Sequence, residues 1–485
     1  MLGHLSYLTL LAAGALLIGR AELRVGPQVL MVFGVIGAWR YGWMGINFAR
    51  AAYFLRIAYP RKQAQVTRSY EQAAIPARAH YLVTSYKVDQ EVTQRVFQSV
   101  FRAAKACKGG AQVVASVVEP VDRLLVEQMY RAEGGDKAGV ALIVEQLAGS
   151  GKRDALASGL RVIARSSPTA QDLVVLIDGD SCIPDDLIEN SAPFFVDPTL
   201  GAITTDETAE IATGGLFADW FHLRLLQRHV LMSSMALTGR VLTLTGRASV
   251  FRATLASDPG FINQVQNDRL DHWRFGSLKF LTGDDKSTWF WLLKNGYRTG
   301  YLPDVRVTCL ENQPKSGFLT SASSLMVRWF GNMLRTNGRA LGLGVRQIGL
   351  FTWWSLLDQR VSIWTTLAGP ITALIAAIYY SALIIPSYVL WVLASRYLTC
   401  AILASFRGEG FSIRFPALLY FSQLFGAIVK SYVLFRLDRQ KWTRQNTGSG
   451  LCRRPVESFY LHALTLGWLV FCLCWIVTQP QGAAI

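Results

Sequence analysis

"VVLIDGDSCIP" (Val174–Pro184) is the stretch that decides the fold of this chain. The unbroken apolar run Leu173–Ile177 reads as a strand buried on both faces, and it stops on Asp178 and Asp180 with Gly179 between them. Glycine at that point permits close backbone approach. Two carboxylates at i and i+2 can hold a hard divalent cation, directly or through water, and leave positions for diphosphate oxygens. Alone, an Asp-Gly-Asp turn is usually just solvated. At the end of a buried strand in an open α/β sheet it lies where ligands bind.

The preceding segments supply that sheet. "HYLVTSY" (80–86), "AQVVASVVE" (111–119) and "VALIVEQ" (140–146) read as strands, each followed by a helical pattern. Val92, Val96, Phe97, Val100, Phe101 and Ala104 fall on one helical face. The βαβ repetition predicts a mostly parallel sheet with helices on both faces, of Rossmann-like type. "GSGKRDAL" (149–156) fails as a nucleotide-binding P-loop, because Gln146 and Arg153 replace its first glycine and its magnesium-holding Ser/Thr. It reads as a turn opening a helix, with Lys152 and Arg153 available to a phosphate.

Apolar blocks flank this region. Leu5–Gly19 and Val29–Phe48 suit two transmembrane helices, and the cations Arg50, Arg56, Arg61, Lys62 and Arg68 after them place the middle of the chain in the cytoplasm. Beyond residue 345 the candidates are Ile348–Trp364, Thr365–Ser381, Leu383–Ser405, Pro416–Phe435 and Tyr460–Val477. "RLDRQKWTRQNTGSGLCRRP" (436–455) reads as cytoplasmic, so an even number of crossings must separate the two basic regions. "FTWWSLLDQRVSIW" (351–364), with Asp358 and Arg360, is the candidate for an interfacial or pore-lining helix. Three regions are expected: 1–50, two membrane helices; 51–345, a cytoplasmic domain with interfacial helices; 346–485, membrane and interfacial helices. The net charge of +16 follows from basic cytoplasmic loops, and no basic-aromatic platform indicates nucleic acid as a partner. The seven cysteines show no paired zinc spacing.

"TGDDKSTWFWLL" (282–293) supplies a second acidic pair before a helix. An N-cap with a dipole complement is worth about 1 kcal/mol and accounts for one of Asp284 and Asp285, not for both. Adjacent carboxylates raise each other's pKa, which suits a base.

Asp-X-Asp after a fourth strand, then Gly-Asp-Asp, then Arg-Trp in "SLMVRWFGNML" (324–334) resemble the processive family 2 glycosyltransferases, which include the cellulose, hyaluronan and chitin synthases. More closely, "RHVLMSSMALTGRVLTLTGRASVFRA" (228–253), "LDHWRFGSLKFLTGDDKSTWFWLL" (270–293), "RWFGNMLRTN" (328–337) and "LFTWWSLLDQRVSIW" (350–364) resemble the catalytic subunits of bacterial alginate polymerases. The resemblance spans roughly residues 80–445. It implies a glycosyltransferase A-type domain inserted between membrane helices of the bacterial inner membrane. The implied reaction is inverting, processive transfer from GDP-mannuronate into β-1,4-linked polymannuronate, which leaves through the membrane helices. The other enzyme reading is a synthase of another β-linked polymer from a UDP-sugar; the residues do not choose the nucleotide.

The resemblance also implies roles. Thr84, Ser85, Asp89 and either Glu119 or Asp122 would hold the nucleoside, with Lys152 and Arg328 on the phosphates. Asp178 and Asp180 would hold Mg²⁺ or Mn²⁺. Asp285 would take the proton from the acceptor hydroxyl, with Asp284 tuning or orienting it. Trp329 would stack on the acceptor, with Gly246 and Arg252 beside it. Thr205 and Asp206 would contact the donor sugar. Arg40 and Lys430, charged inside apolar segments, are expected to line a polar channel. The family carries glutamine three positions before its arginine, where this chain has Leu325. A companion membrane protein that binds cyclic-di-GMP is the expected partner.

Overall fold

The computed structural model describes residues 2–19, 25–72, 76–442, 447–448 and 454–479. Residues 443–446 and 449–453 of the basic loop, Cys452 among them, lie outside these. Helices α1 (Leu2–Gly19) and α2 (Pro27–Tyr53) open the chain. The apolar run stops at Phe48, but the helix does not. A π-helical turn at Phe54–Ala58 carries it into α3 (Tyr59–Gln72), because the Arg, Lys, Gln and Glu that follow are good helix formers.

The expected βαβ units form. Strands β1 (Ala79–Thr84), β2 (Ala111–Val117), β3 (Ala141–Gln146) and β4 (Leu173–Asp178) alternate with helices α4 (Gln90–Ala106), α5 (Pro120–Ala132) and α6 (Lys152–Arg165). They pair in parallel in the order β3-β2-β1-β4. Val96, Phe97, Val100 and Phe101 of α4 are all at most 1% exposed, so the inferred helical face is the buried one. The register pairs Thr84 with Asp178, which brings the two strand ends side by side.

Past β4 the sheet becomes mixed. Short β5 (Ser181–Cys182), β6 (Leu200–Ile211) and β7 (Ala248–Arg252) follow. A separate hairpin, β8 (Arg269–His272) and β9 (Gly276–Lys279), precedes the long β10 (Arg298–Glu311). The main sheet has eight strands in the order β3-β2-β1-β4-β7-β6-β10-β5, and β7 runs antiparallel to both β4 and β6. Helices α7 (Gly215–Ala236), α8 (Asp284–Lys294) and α9 (Phe318–Gly342) complete this region.

Four more helices follow: α10 (Leu350–Tyr379), α11 (Ile384–Ser405), α12 (Phe415–Leu434) and α13 (Pro455–Val477). Together with α1 and the α2–α3 helix they make six, among the described residues, that are long and apolar enough to cross a membrane. Two expected segments, 348–364 and 365–381, are largely one helix, α10, with Pro370 inside it. A proline is tolerated in such a helix where neighbouring helices re-satisfy the backbone.

The ends of α12 distinguish it from the other helices. Before it, Ser412 and Arg414 reach Asp219 of α7. Midway, Trp220 of α7 donates to Ser422, and Phe421 contacts Phe318 of α9. After it, Arg274 and Arg335 donate to the carbonyls of Phe435 and Leu437. These contacts lay α12 along the α/β region, while Tyr420, Gln423 and Ser431 join it to α11 and α13 on its other side. Tyr380, after α10, donates to Val477 at the end of α13, which marks the far side. With α12 along the α/β region, α10 leaving and α11 returning is the arrangement that meets the expected even number of crossings between the basic regions.

Single cysteines in place of Glu409 and Arg439, flanking α12, should therefore react with a membrane-impermeant maleimide from the same side as one at Asp271. A cysteine at Ser381 should react from the opposite side. Labelling of the Arg439 site from the Ser381 side would make α12 a crossing.

Candidate active site

The ends of β1 and β4 open onto a cleft of about 550 Å³ whose walls include Thr84, Lys152, Asp178, Asp180, Asp284, Asp285, Arg328 and Trp329. Residues far apart in sequence meet here because parallel strands point the same way. Gly179 is needed for the approach: a Cβ there would lie 2.8 Å from the Thr84 carbonyl oxygen. Gly246 lies against Asp178, where a Cβ would come within 3.1 Å of Oδ2.

Lys152, the first residue of α6, joins the two acidic motifs. Its Nζ lies 2.5 Å from Asp178 Oδ1 and donates to Asp284 Oδ2 at 2.8 Å. Burial alone would lower the pKa of this ammonium, but the two carboxylates outweigh burial and hold it above lysine's ordinary value. Burial, with Asp180 and Asp284 nearby, pushes Asp178 up to about 7 against the pull of Lys152.

The adjacent aspartates separate. Burial would raise Asp284, but Lys152 and Arg153 hold it below the usual carboxylate range. Asp285 is raised by burial and by the charge of Asp284, with Lys286 opposing. The Lys286 ammonium donates to the Leu242 carbonyl at 2.8 Å, and burial brings it down to about 8. One carboxylate is thus held as a fixed anion while its neighbour is poised to take a proton, the pattern that separates acid-base roles in an active site.

The loop bearing the pair is clamped. Arg153, expected near phosphate, turns away and donates instead to the carbonyls of Val265 and Thr282 and to Ser287 Oγ. Thr282 donates to Asn332 Oδ1 at 2.8 Å, and Gly283 takes φ +79°, where a Cβ would collide with Asn332.

Of the nucleoside candidates, Thr84, Ser85 and Asp89 line the cleft. The Thr84 and Ser85 hydroxyls are buried with no hydrogen-bond partner among the described residues. Asp122, in the first turn of α5, is buried just outside the lining, with Oδ2 also unpartnered and its pKa raised by burial and Glu119. Trp329 stacks on Trp220 of α7, centroids 5.8 Å apart, and still lines the cleft.

Arg252, Thr205 and Asp206 lie away from the cleft. Arg252 pairs with Leu173, at the opposite end of the sheet, because β7 is antiparallel; its guanidinium donates to the carbonyls of Ala170, Phe195 and Asp197. Thr205 and Asp206 are fully buried in β6 and do not line the cleft. Asp206 instead receives Arg407, from the loop after α11, at 2.7 Å, with Tyr301 and His229 beside it. Arg40 is paired with Asp358, while Lys430 sits 4.7 Å from the Phe330 ring centroid, beside Trp329 in sequence.

Arg247 was missed. It lines the cleft and pairs with Glu207 and Glu311. Its signal was available: it follows Gly246 in the turn into β7, where its carbonyl accepts from the Asp178 amide at 3.2 Å.

This sheet, with paired carboxylates at its edge and a third motif delivered by a later helix, is that of an A-type glycosyltransferase. The profile described as "Glycosyltransferase like family 2" matches residues 76–332. The chain is 44% identical over 420 residues to "Glycosyltransferase alg8" of Pseudomonas syringae pv. tomato, and 43% identical to that of Azotobacter vinelandii. Each match covers 86% of this chain and 84% of the relative. Among solved structures, a mannosyltransferase from Pyrobaculum calidifontis in complex with GDP-Man and Mn²⁺ aligns at TM-score 0.43 and 18% identity over 79% of this chain and 98% of that one. The chain belongs to the family 2 glycosyltransferases, and within them to the glycosyltransferases of alginate synthesis.

Asp285→Asn should reduce glycosyl transfer by roughly 10²–10⁴ if the residue is the base. A base works only deprotonated, so the rate should rise with pH through the raised Asp285 pKa, above the ordinary aspartate range. Lys286→Met removes a cation that opposes the shift, and the acid limb of the pH-rate profile should move to higher pH. A limb that stays in place would exclude Asp285 as the titrating group.

Proposed function

We propose that the chain is a processive, inverting polymerase that builds β-1,4-linked polymannuronate from GDP-mannuronate and passes it through the inner membrane. The observation that carries this reading is the convergence of Asp178, Asp180, Asp284 and Asp285 in one cleft beside Arg328 and Trp329. The acceptor hydroxyl gives its proton to Asp285 as its oxygen bonds to the anomeric carbon. The bond from that carbon to the diphosphate breaks, and the electron pair leaves with GDP. Inversion follows from the single displacement. Arg328, which has no carboxylate partner among the described residues, and Lys152 receive the growing phosphate charge. Asp284 stays ionised against Lys152 and fixes the loop that presents Asp285.

A divalent cation fits Asp178 and Asp180. Among the described residues no group of three His, Cys, Asp or Glu could hold a metal alone. Mg²⁺-type sites commonly use one or two carboxylates and complete their shell with substrate phosphates. When bound, the ion would stabilise the leaving diphosphate. The orphaned hydroxyls of Thr84 and Ser85 in the cleft support a nucleoside site there, with Asp122 as the carboxylate the resemblance offers. A carboxylate serves the N–H groups of guanine and of uracil alike, so the choice of GDP rests on the relatives.

Arg40 is committed to Asp358, which leaves Lys430 as the cation of the two that faces a passing uronate. The transferase is held on the cytoplasmic side, where nucleotide sugars are made, and a companion cyclic-di-GMP-binding membrane protein completes the machine.

Membranes carrying the chain and its companion, supplied with labelled GDP-mannuronate and Mg²⁺ or Mn²⁺, should yield a high-molecular-weight polyuronate. Excess GDP should suppress the reaction and excess UDP should not; the reverse would favour a UDP-sugar synthase. Lys430→Met should shorten the product in vesicles, and unchanged yield and length would remove Lys430 from the channel.

A further inference from the structure

Arg224 has no role in the reading above. It projects from α7 with its guanidinium carbon 4.3 Å from the Trp329 ring centroid and 5.3 Å from that of Trp220. The side chain is half-buried, and among the described residues it has neither a carboxylate nor a hydrogen-bond acceptor. Most other cations near the cleft are compensated: Arg247 by Glu207 and Glu311, Arg228 by Glu207, Arg339 by Asp268, Lys152 by two aspartates. Arg328 also lacks a carboxylate among the described residues, but it faces the cleft, where the reading above gives it the phosphates. Burial, with Arg247 adding repulsion, lowers the Arg224 pKa to about 10, which still leaves it charged at neutral pH. Lys430 is close enough to be repelled by it.

An uncompensated, partly desolvated guanidinium is costly unless something else supplies the anion. Its place says what the anion is. Trp329 lines the cleft beside the base, where the acceptor end of a sugar chain would stack, and Arg224 lies against the same ring. A planar guanidinium matches a carboxylate bidentately. Arg247, Arg224 and Lys430 form a succession of cations from the cleft towards α12, and a polyuronate carries one carboxylate on every sugar. We infer that Arg224 and Trp329 together form a subsite for an acceptor uronic acid, Trp329 taking the sugar face and Arg224 its carboxylate, so that Arg224 selects acidic over neutral chains. This rests on the polyuronate reading above.

The test uses the purified full-length chain in nanodiscs and two ligands: a β-1,4-linked mannuronate hexamer and the same hexamer after reduction of its carboxyl groups. Affinity is read from tryptophan fluorescence, and GDP binding reports that each variant is folded. The native chain should prefer the acidic hexamer by roughly ten- to a hundredfold, the range of a hydrogen-bonded charge. R224M should bring the ratio close to one, and R224K, which keeps the charge without the planar fork, should retain part of it. W329A should weaken both hexamers together. A folded R224M or R224K with the native ratio overturns the assignment of Arg224 alone. A native chain that does not distinguish the hexamers overturns this assignment and the polyuronate reading with it.

Discussion

Four carboxylates at one sheet edge repel one another, and the placement of a single lysine determines how that repulsion is distributed. Lys152 touches Asp178 and Asp284 but not Asp285. The two it touches differ because Asp284 also has Arg153 nearby, whereas Asp178 has Asp180. Asp285, left with a like charge on one side and Lys286 on the other, rises as Asp178 does, while Asp284 falls. The position is an unfavourable one for a lysine. It is the first residue of α6, where the helix dipole presents its positive end and disfavours a cation. The carboxylates hold it there, and the same contact ties the strand-end motif to a helix more than a hundred residues away.

Much of this was legible because the signals are local. Apolar runs of strand length, separated by helices of clear period, gave β1 to β4, and their parallel direction put Asp178 at a ligand-binding edge. The reading lost accuracy where strand direction changed. The resemblance placed Arg252 beside the acceptor with Gly246, but the antiparallel pairing of β7 sends it to the other end of the sheet. Asp206 was misread for a different reason. Its partner Arg407 lies 201 residues further on, in a loop between apolar helices, and no window of sequence contains both.

The membrane helices show a similar limit. Hydropathy detects an apolar face but not what covers it. α12 is as apolar as α11, yet Ser422 and the flanking Ser412, Arg414 and Phe435 are held by α7, α9 and the β8–β9 hairpin turn. Only those contacts distinguish a helix lying along the α/β region from one that crosses a bilayer. The same blindness hid Arg224, which in sequence is an ordinary arginine on a helix and becomes unusual only when two tryptophans close around it.

These attachments bear on how the base is positioned. The loop before Asp284 is gripped by Arg153 of α6 and from two further directions. Asn332 of α9, one turn beyond Arg328 and Trp329, accepts from Thr282, and Arg335 donates to the same Asn332 oxygen. Gln440, just past α12, accepts from the Leu281 amide and donates to the Lys279 carbonyl. Arg335 also donates to the Leu437 carbonyl, so α9 and the segment after α12 are joined to each other as well as to the loop. The loop that carries Asp285 is therefore set both by α6, through Lys152 and Arg153, and by elements that lie against the membrane helices. A displacement of α12 would reach Leu281 through Gln440, four residues from Asp285, while leaving the β1–β4 edge where it is. The two acidic motifs of this cleft thus share α6, through Lys152, but only the second is also tied to the segment after α12.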